Sequence, residues 1–262
     1  MEKKQFKKTL AVAQNVLNEC IRHKILNILF IFAIAIIGGN FIIKELSPGA
    51  EHRTLIDAGY VNIEIFGFLA LLFSIFIITY EEFEMRNIWI TLTKPISRTT
   101  YFLGKFLGIC LILFLNISIM FFLLMLLALL NGINLNINYL LIIASIFLEL
   151  VVAIAFTLLF TVISSNLITG MIFSFFLFLI GHLTEHLKIL INKEGTTPIL
   201  KIILYIIYYL MPNLSLFNLK DKVYSIEGLF PFDYILKILI YASLYSVICL
   251  IISSLVFKKK EI

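Results

Sequence analysis

Two carboxylates stand inside long apolar runs, Glu64 and Glu149. Holding a charge there costs at least about 2.5 kcal/mol on insertion scales, so such residues mark substrate or ion pathways, or else protonated or hydrogen-bonded contacts between helices. Both readings stay open for Glu149, near the middle of its run; Glu64 lies toward the outer part of another. A second constellation, His182-Leu183-Thr184-Glu185-His186, has the His-x-x-Glu-His spacing of inverted zinc peptidases, two imidazoles one helical turn apart. A catalytic zinc needs a third protein ligand, and Glu194 is the only nearby choice. Polar capping of a span's outer end is therefore the leading reading, no metal is assigned, and His182 with His186 remains the alternative metal pair. Gly-x-x-x-x-Gly-Lys-Ser/Thr and strand-borne Gly-x-Gly-x-x-Gly turns do not occur, so the chain has neither device for ATP.

The elements that position these groups follow from composition. Of 262 residues, 61% are hydrophobic and 14% charged, too few to cover the surface of a water-soluble globule. This is an integral membrane protein, and a net charge of +5 concentrated at the chain ends and one central loop points to topology and lipid contact, not nucleic acid. Crossing about 30 Å of hydrocarbon takes roughly 20 helical residues. Six runs qualify: Ile25–Ile43, Gly59–Tyr80, Leu103–Leu130, Leu140–Ile163, Leu167 to a point between Ile180 and Ile191, and Ile235–Phe257. Thirteen of 21 Lys and Arg fall on one side, including Lys258-Lys259-Lys260, which predicts that both termini are cytoplasmic. Before the first span, Phe6, Leu10, Ala13, Leu17 and Ile21 recur at helical spacing and predict an amphipathic helix on the membrane surface. Between the last two spans, Ile199–Met211 is 13 residues bounded by Pro198 and Pro212, too short to cross. Being apolar nearly all round, it is expected to be buried on the outer side, as an interfacial or re-entrant piece or as a core helix of an outer cap. The organisation is an amphipathic segment 1–24, a six-span region 25–257 with a cytoplasmic loop 81–101 and an outer loop 182–234, and a basic tail 258–262. The three cysteines imply no disulfide framework.

The loop after the second span carries the most information. Glu82 to Leu92 can form a short helix with an acidic start, and Pro95 ends it. Ile88, Leu92 and Ile96 share one face with Trp89 beside it, an apolar ridge for lipid or a protein partner. Its pattern, Glu82-x-Glu84-x-x-Asn87-Ile88, then Leu92-x-Lys94-Pro95-Ile96-Ser97-Arg98, then Tyr101-x-Leu103-Gly104-Lys105-Phe106-x-Gly108, resembles the permease subunits of ABC-2 transporters, most closely the NosY-like branch associated with multicopper-enzyme maturation. The match is close over about 30 residues. Elsewhere the layout agrees, including Tyr208 to Phe217 as a Tyr-x-Leu-x-Pro-Asn-Leu-x-x-Phe-like segment. Asn87 departs from the Thr common in the family.

The resemblance implies an all-α, six-helix permease of the cytoplasmic membrane, with a coupling helix between spans two and three and outer-gate pieces between five and six. It implies a second permease subunit, identical or not, and a separate cytoplasmic ATPase that binds ATP and Mg²⁺ while this chain holds no cofactor and is not an enzyme. Glu82, Glu84, Arg86, Trp89 and Leu92 would lie at the ATPase contact, with Lys94, Pro95, Ser97 and Arg98 forming the return to span three and the N-terminal helix a second contact. Transport is expected outward, and the substrate is not legible. Two rivals are an intramembrane CAAX-type protease and a membrane anchor without transport. The first is suggested by Glu81-Glu82-x-x-x-Arg86 with Phe178-x-x-x-His182, but the expected topology puts those motifs about a bilayer apart.

Overall fold

A backbone in hydrocarbon has no water to bond, so long runs of Ile, Leu and Phe become helices although β-branched residues are only moderate helix formers in water. The computed structural model describes residues 2–23, 27–46, 51–83, 97–133, 136–164, 166–192, 197–220 and 231–259. Among these there are nine α-helices, one 3₁₀ turn and no strand. They are α1 (Glu2–Arg22), α2 (Ile28–Leu46), α3 (Glu51–Phe83), α4 (Arg98–Leu130), α5 (Asn138–Ile163), α6 (Leu167–His182), α7 (Thr184–Asn192), α8 (Pro198–Leu210), the 3₁₀ turn Leu214–Phe217, and α9 (Phe232–Lys259).

Among the described residues, four stretches are long and apolar enough to cross a membrane: His52–Thr79 in α3, Thr99–Leu130 in α4, Asn138–Ile163 in α5 and Phe232–Val256 in α9. Each agrees with an expected run to within a few residues at most ends, α3 starting earlier. The fifth expected span is bent: α6 and α7 meet at Leu183 with a change of direction of 53°. The helix α2 occupies the place of the first expected span.

The best-buried helix is α5, packed against α3, α4, α6 and α9. The neighbours face it with narrow stripes. On α6 the buried residues are Gly170, Ser174, Phe178 and Gly181, at helical spacing, while Ile172, Phe173 and Phe176 face outward. On α9 they are Ile238, Ala242, Ser246, Cys249, Leu250, Ser253 and Ser254. Outward apolar surface of this kind suits lipid, which rewards it as water does not.

Of the expected lipid-facing stripe on α1, Leu10 and Ile21 are exposed, while Ala13 is buried together with Val16 and Cys20 on the side that meets protein. The reason lies on α4, where Gly104 and Gly108 expose bare backbone one turn apart. A Cβ at Gly104 would stand 2.5 Å from Val12 Cβ, and one at Gly108 2.7 Å from Val16 Cβ and 2.8 Å from the Ala13 carbonyl. Small residues four apart let two helices approach this closely, so the Gly104-x-x-x-Gly108 portion of the motif seats α1. Between them Lys105 is buried, its ammonium 4.9 Å from the centre of the Tyr101 ring.

One expectation is corrected, that for α8. Its 13 residues match the expected length, yet Ile199, Ile202, Ile206 and Tyr209 are exposed and Leu204 is the buried one. The helix rests on α7 rather than inside a core. Its apolar sides are left for lipid or another chain.

Candidate functional site

Three helices bring the polar groups of the apolar region to one point. At 1.5 Å per residue, Glu64 lies about 22 Å along α3 from Thr79, Glu149 about 21 Å along α5 from Ile163, and His182 about 22 Å along α6 from Leu167. The three lengths agree to within about 2 Å, as contact between the groups requires. His182 Nε2 is 2.5 Å from Oε1 of Glu64 and 2.8 Å from Oε1 of Glu149. Lys220, just beyond the 3₁₀ turn, donates to the other oxygen of Glu64. Glu64 and Glu149 are buried; His182 is the most open member, with 31% of its side chain exposed.

The bend in the α6–α7 pair makes this geometry. His182 is the last residue of α6, and its ring is fixed from two sides. Nδ1 lies 3.0 Å from the Phe178 carbonyl, and because a carbonyl only accepts, Nδ1 carries a hydrogen. The imidazole also lies against the Phe178 ring, which stacks on Phe68 of α3 with centroids 3.9 Å apart. Beyond the bend, the buried Thr184 hydroxyl is 2.8 Å from Asn213 Oδ1, and Ser215 donates to the same oxygen at 2.7 Å. Tyr241 of α9 accepts from the Asn213 N–H at 2.8 Å, and Tyr234 donates to the Leu216 carbonyl at 2.7 Å. Gly181 admits the turn, since a Cβ there would meet Leu214 Cγ at 2.7 Å and the Pro212 carbonyl at 3.0 Å. The segment from Asn213 to Lys220 is thereby held against both sides of the bend.

The structure thus joins Glu64, Glu149 and His182 and leaves His186 out. His186 is exposed and follows the break at Leu183, so the expected face with two histidines does not form. Glu194 lies outside the described residues. Lys220 was not among the expected site residues; its one sequence signal is its place directly after Pro212-Asn213-Leu214 and Phe217-Asn218-Leu219.

The loop between α3 and α4 is described at its edges. The helix α3 runs through Phe83, so Glu82 sits in its last turn rather than opening a new helix. Ser97 caps α4, its hydroxyl accepting from the Thr100 N–H at 3.2 Å. Glu84, Arg86, Trp89, Leu92, Lys94 and Pro95 lie outside the described residues, as do the side chains of Glu82 and Arg98. Along α3, Glu82 stands about 27 Å from Glu64 and hence from the site of His182. The two halves of the protease-like pattern cannot share a water.

Apolar spans around a central helix, with a charged cluster enclosed between them, define a multi-pass membrane protein whose polar chemistry lies inside the bundle. Residues 2–262 match the family model described as ABC-2 family transporter protein, and the chain belongs to that family. It is a membrane component of a transporter rather than a catalytic subunit. No curated protein matches the chain.

Proposed function

We propose that this chain is the six-span permease subunit of an ABC-2 exporter, driven across the cytoplasmic membrane by ATP hydrolysed in a separate cytoplasmic ATPase. The observation that carries it is the family match over residues 2–262 in a chain with no nucleotide-binding loop of its own. Support for six spans comes from adding α2 and the bent α6–α7 pair to the four long helices. With both termini cytoplasmic, residues 84–96 lie on the ATPase side. There Glu82, Glu84, Arg86, Trp89 and Leu92 form the coupling contact, and Lys94, Pro95, Ser97 and Arg98 lead back into α4. A second permease subunit, identical or not, completes the complex. Glu64 and Glu149 lie on the far half of the path, where the bend of α6–α7 and the exposed α8 form outer-gate elements. Membership of the NosY-like branch belongs to the same proposal. ATP binding acts only if the ATPase prefers one packing of the permease over another.

Affinity purification in mild detergent tests this, with mass spectrometry and an ATPase assay on the eluate. A Walker-motif ATPase is expected, and it is expected to be lost on Trp89→Ala or Glu84→Ala. Recovery of the chain alone under several detergents would return the anchor reading.

A further inference from the structure

Around His182 three lone-pair atoms point at one small space. Since Nδ1 is committed to the Phe178 carbonyl, Nε2 faces Oε1 of Glu64 at 2.5 Å and Oε1 of Glu149 at 2.8 Å. Atoms of this kind repel at such separations unless a positive centre lies between them. One proton on Nε2 serves one of the two oxygens. The hydrogen-bond geometry is met toward Glu64, and Oε1 of Glu149, with 3% of that side chain exposed, has no partner other than the 2.8 Å approach of that same nitrogen. Two buried carboxylate oxygens competing for one donor in the interior of a membrane bundle are a costly feature. A metal ion engages all three atoms at once.

We infer that Glu64, Glu149 and His182 bind a single divalent transition-metal ion, zinc by the chemistry of the donors. One imidazole nitrogen and two carboxylate oxygens, with no sulfur, suit zinc and its neighbours. The ligand atoms lie within 4.8 Å of one another. A tetrahedral ion with bonds of about 2.0–2.1 Å sets its ligands about 3.3 Å apart, so His182 Nε2 separates from each carboxylate oxygen by less than 1 Å on loading. The bond from Nδ1–H to a backbone carbonyl fixes the tautomer and ring orientation, as outer partners of metal-bound histidines do. Three protein ligands leave a fourth position open. Lys220 neutralises the far oxygen of Glu64, so a loaded site carries one net positive charge and favours an anionic fourth ligand. His182 is the member with the most exposed side chain.

The inference is independent of the transport reading, because binding is measured on the isolated chain. The full-length protein is purified in detergent, freed of any affinity tag, stripped with a chelator, and titrated with Zn²⁺, then with Co²⁺ for its visible absorption. One ion per chain is expected, together with a higher melting temperature on loading. Glu149→Gln and His182→Ala are expected to weaken binding by at least about 100-fold. His186→Ala is expected to leave it unchanged, and Lys220→Met to strengthen it by removing the competing cation. Absence of stoichiometric metal in the wild-type protein overturns the inference and leaves a proton as the bridging charge. Retention of metal at full affinity in the folded Glu149→Gln/His182→Ala double variant overturns it equally.

Discussion

The seat of α1 on α4 offers a perturbation with a local readout. In Gly104→Ala/Gly108→Ala, each new methyl would stand 2.5–2.7 Å from the Cβ of Val12 or Val16, and at Gly108 also 2.8 Å from the Ala13 carbonyl. Ordinary contact needs 3.4 Å or more, and the obstacles are backbone and branched carbons near it, so α1 must back away by nearly 1 Å. Overpacking of this kind costs about 1–3 kcal/mol, which shifts the docking equilibrium of α1 by about 5- to 140-fold. Alanine improves the intrinsic helix propensity of α4, but that gain is the same whether α1 is docked or not. The reporter is Cys20, fully buried on the docked face of α1 and hydrogen-bonded to Ser74, with its thiol pushed up to about 12 by burial. At pH 8 roughly a quarter of free thiols are ionised, whereas burial keeps the docked thiol protonated and out of reach, so only the undocked form reacts at an appreciable rate. Maleimide labelling of Cys20 is followed in a Cys110→Ala/Cys249→Ala background. Labelling is expected to rise by the same 5- to 140-fold, while Gly38→Ala, whose Cβ meets nothing within 4 Å, leaves it unchanged. Labelling within twofold of the parent refutes the close crossing.

Two further outcomes are expected. Glu64→Gln strands the Lys220 ammonium in a largely buried site, which costs about 3–5 kcal/mol and lowers the melting temperature by roughly 6–20 °C. Adding Lys220→Met recovers most of that loss, and equal melting of the single and double variants contradicts the pairing. Gly181→Ala drives a methyl to 2.7 Å from Leu214 Cγ and 3.0 Å from the Pro212 carbonyl. About 1–3 kcal/mol is lost, and amide exchange across Leu214–Phe217 quickens; protection equal to wild type in that turn counts against the contact.

Most of the helical layout was legible because it depends on a local quantity. Hydropathy over some 20 residues, with Asn, Ser and Pro at the ends, placed α4, α5 and α9 to within a few residues. Gly181-His182 marked the interruption of the fifth run, and the structure breaks one residue later. Glu64, Glu149 and His182 were each singled out, for reasons that did not connect them. Lys220 is illegible in the sequence because a Lys in a loop carries no local sign of burial; its environment is made by a residue 156 positions away in the chain. The protein-facing side of α1 was illegible for a similar reason. Periodicity finds apolar faces, and Leu10 and Ile21 do point to the surroundings, but which residues meet protein was settled by two glycines on α4.

The sequence by itself determined that this is a helical membrane protein, where its long apolar helices run, and that a buried carboxylate needs a partner. Those properties follow from side-chain types taken a few at a time, through the cost of exposing backbone or charge to hydrocarbon. Only the tertiary structure decided that α1 packs through Ala13, Val16 and Cys20, and that His182 pairs with Glu64 and Glu149 rather than with His186. The break at Leu183 turns the helix away after His182 and sets the imidazole between α3 and α5. A meeting of three helices at one depth is a property of their packing, not of any single segment.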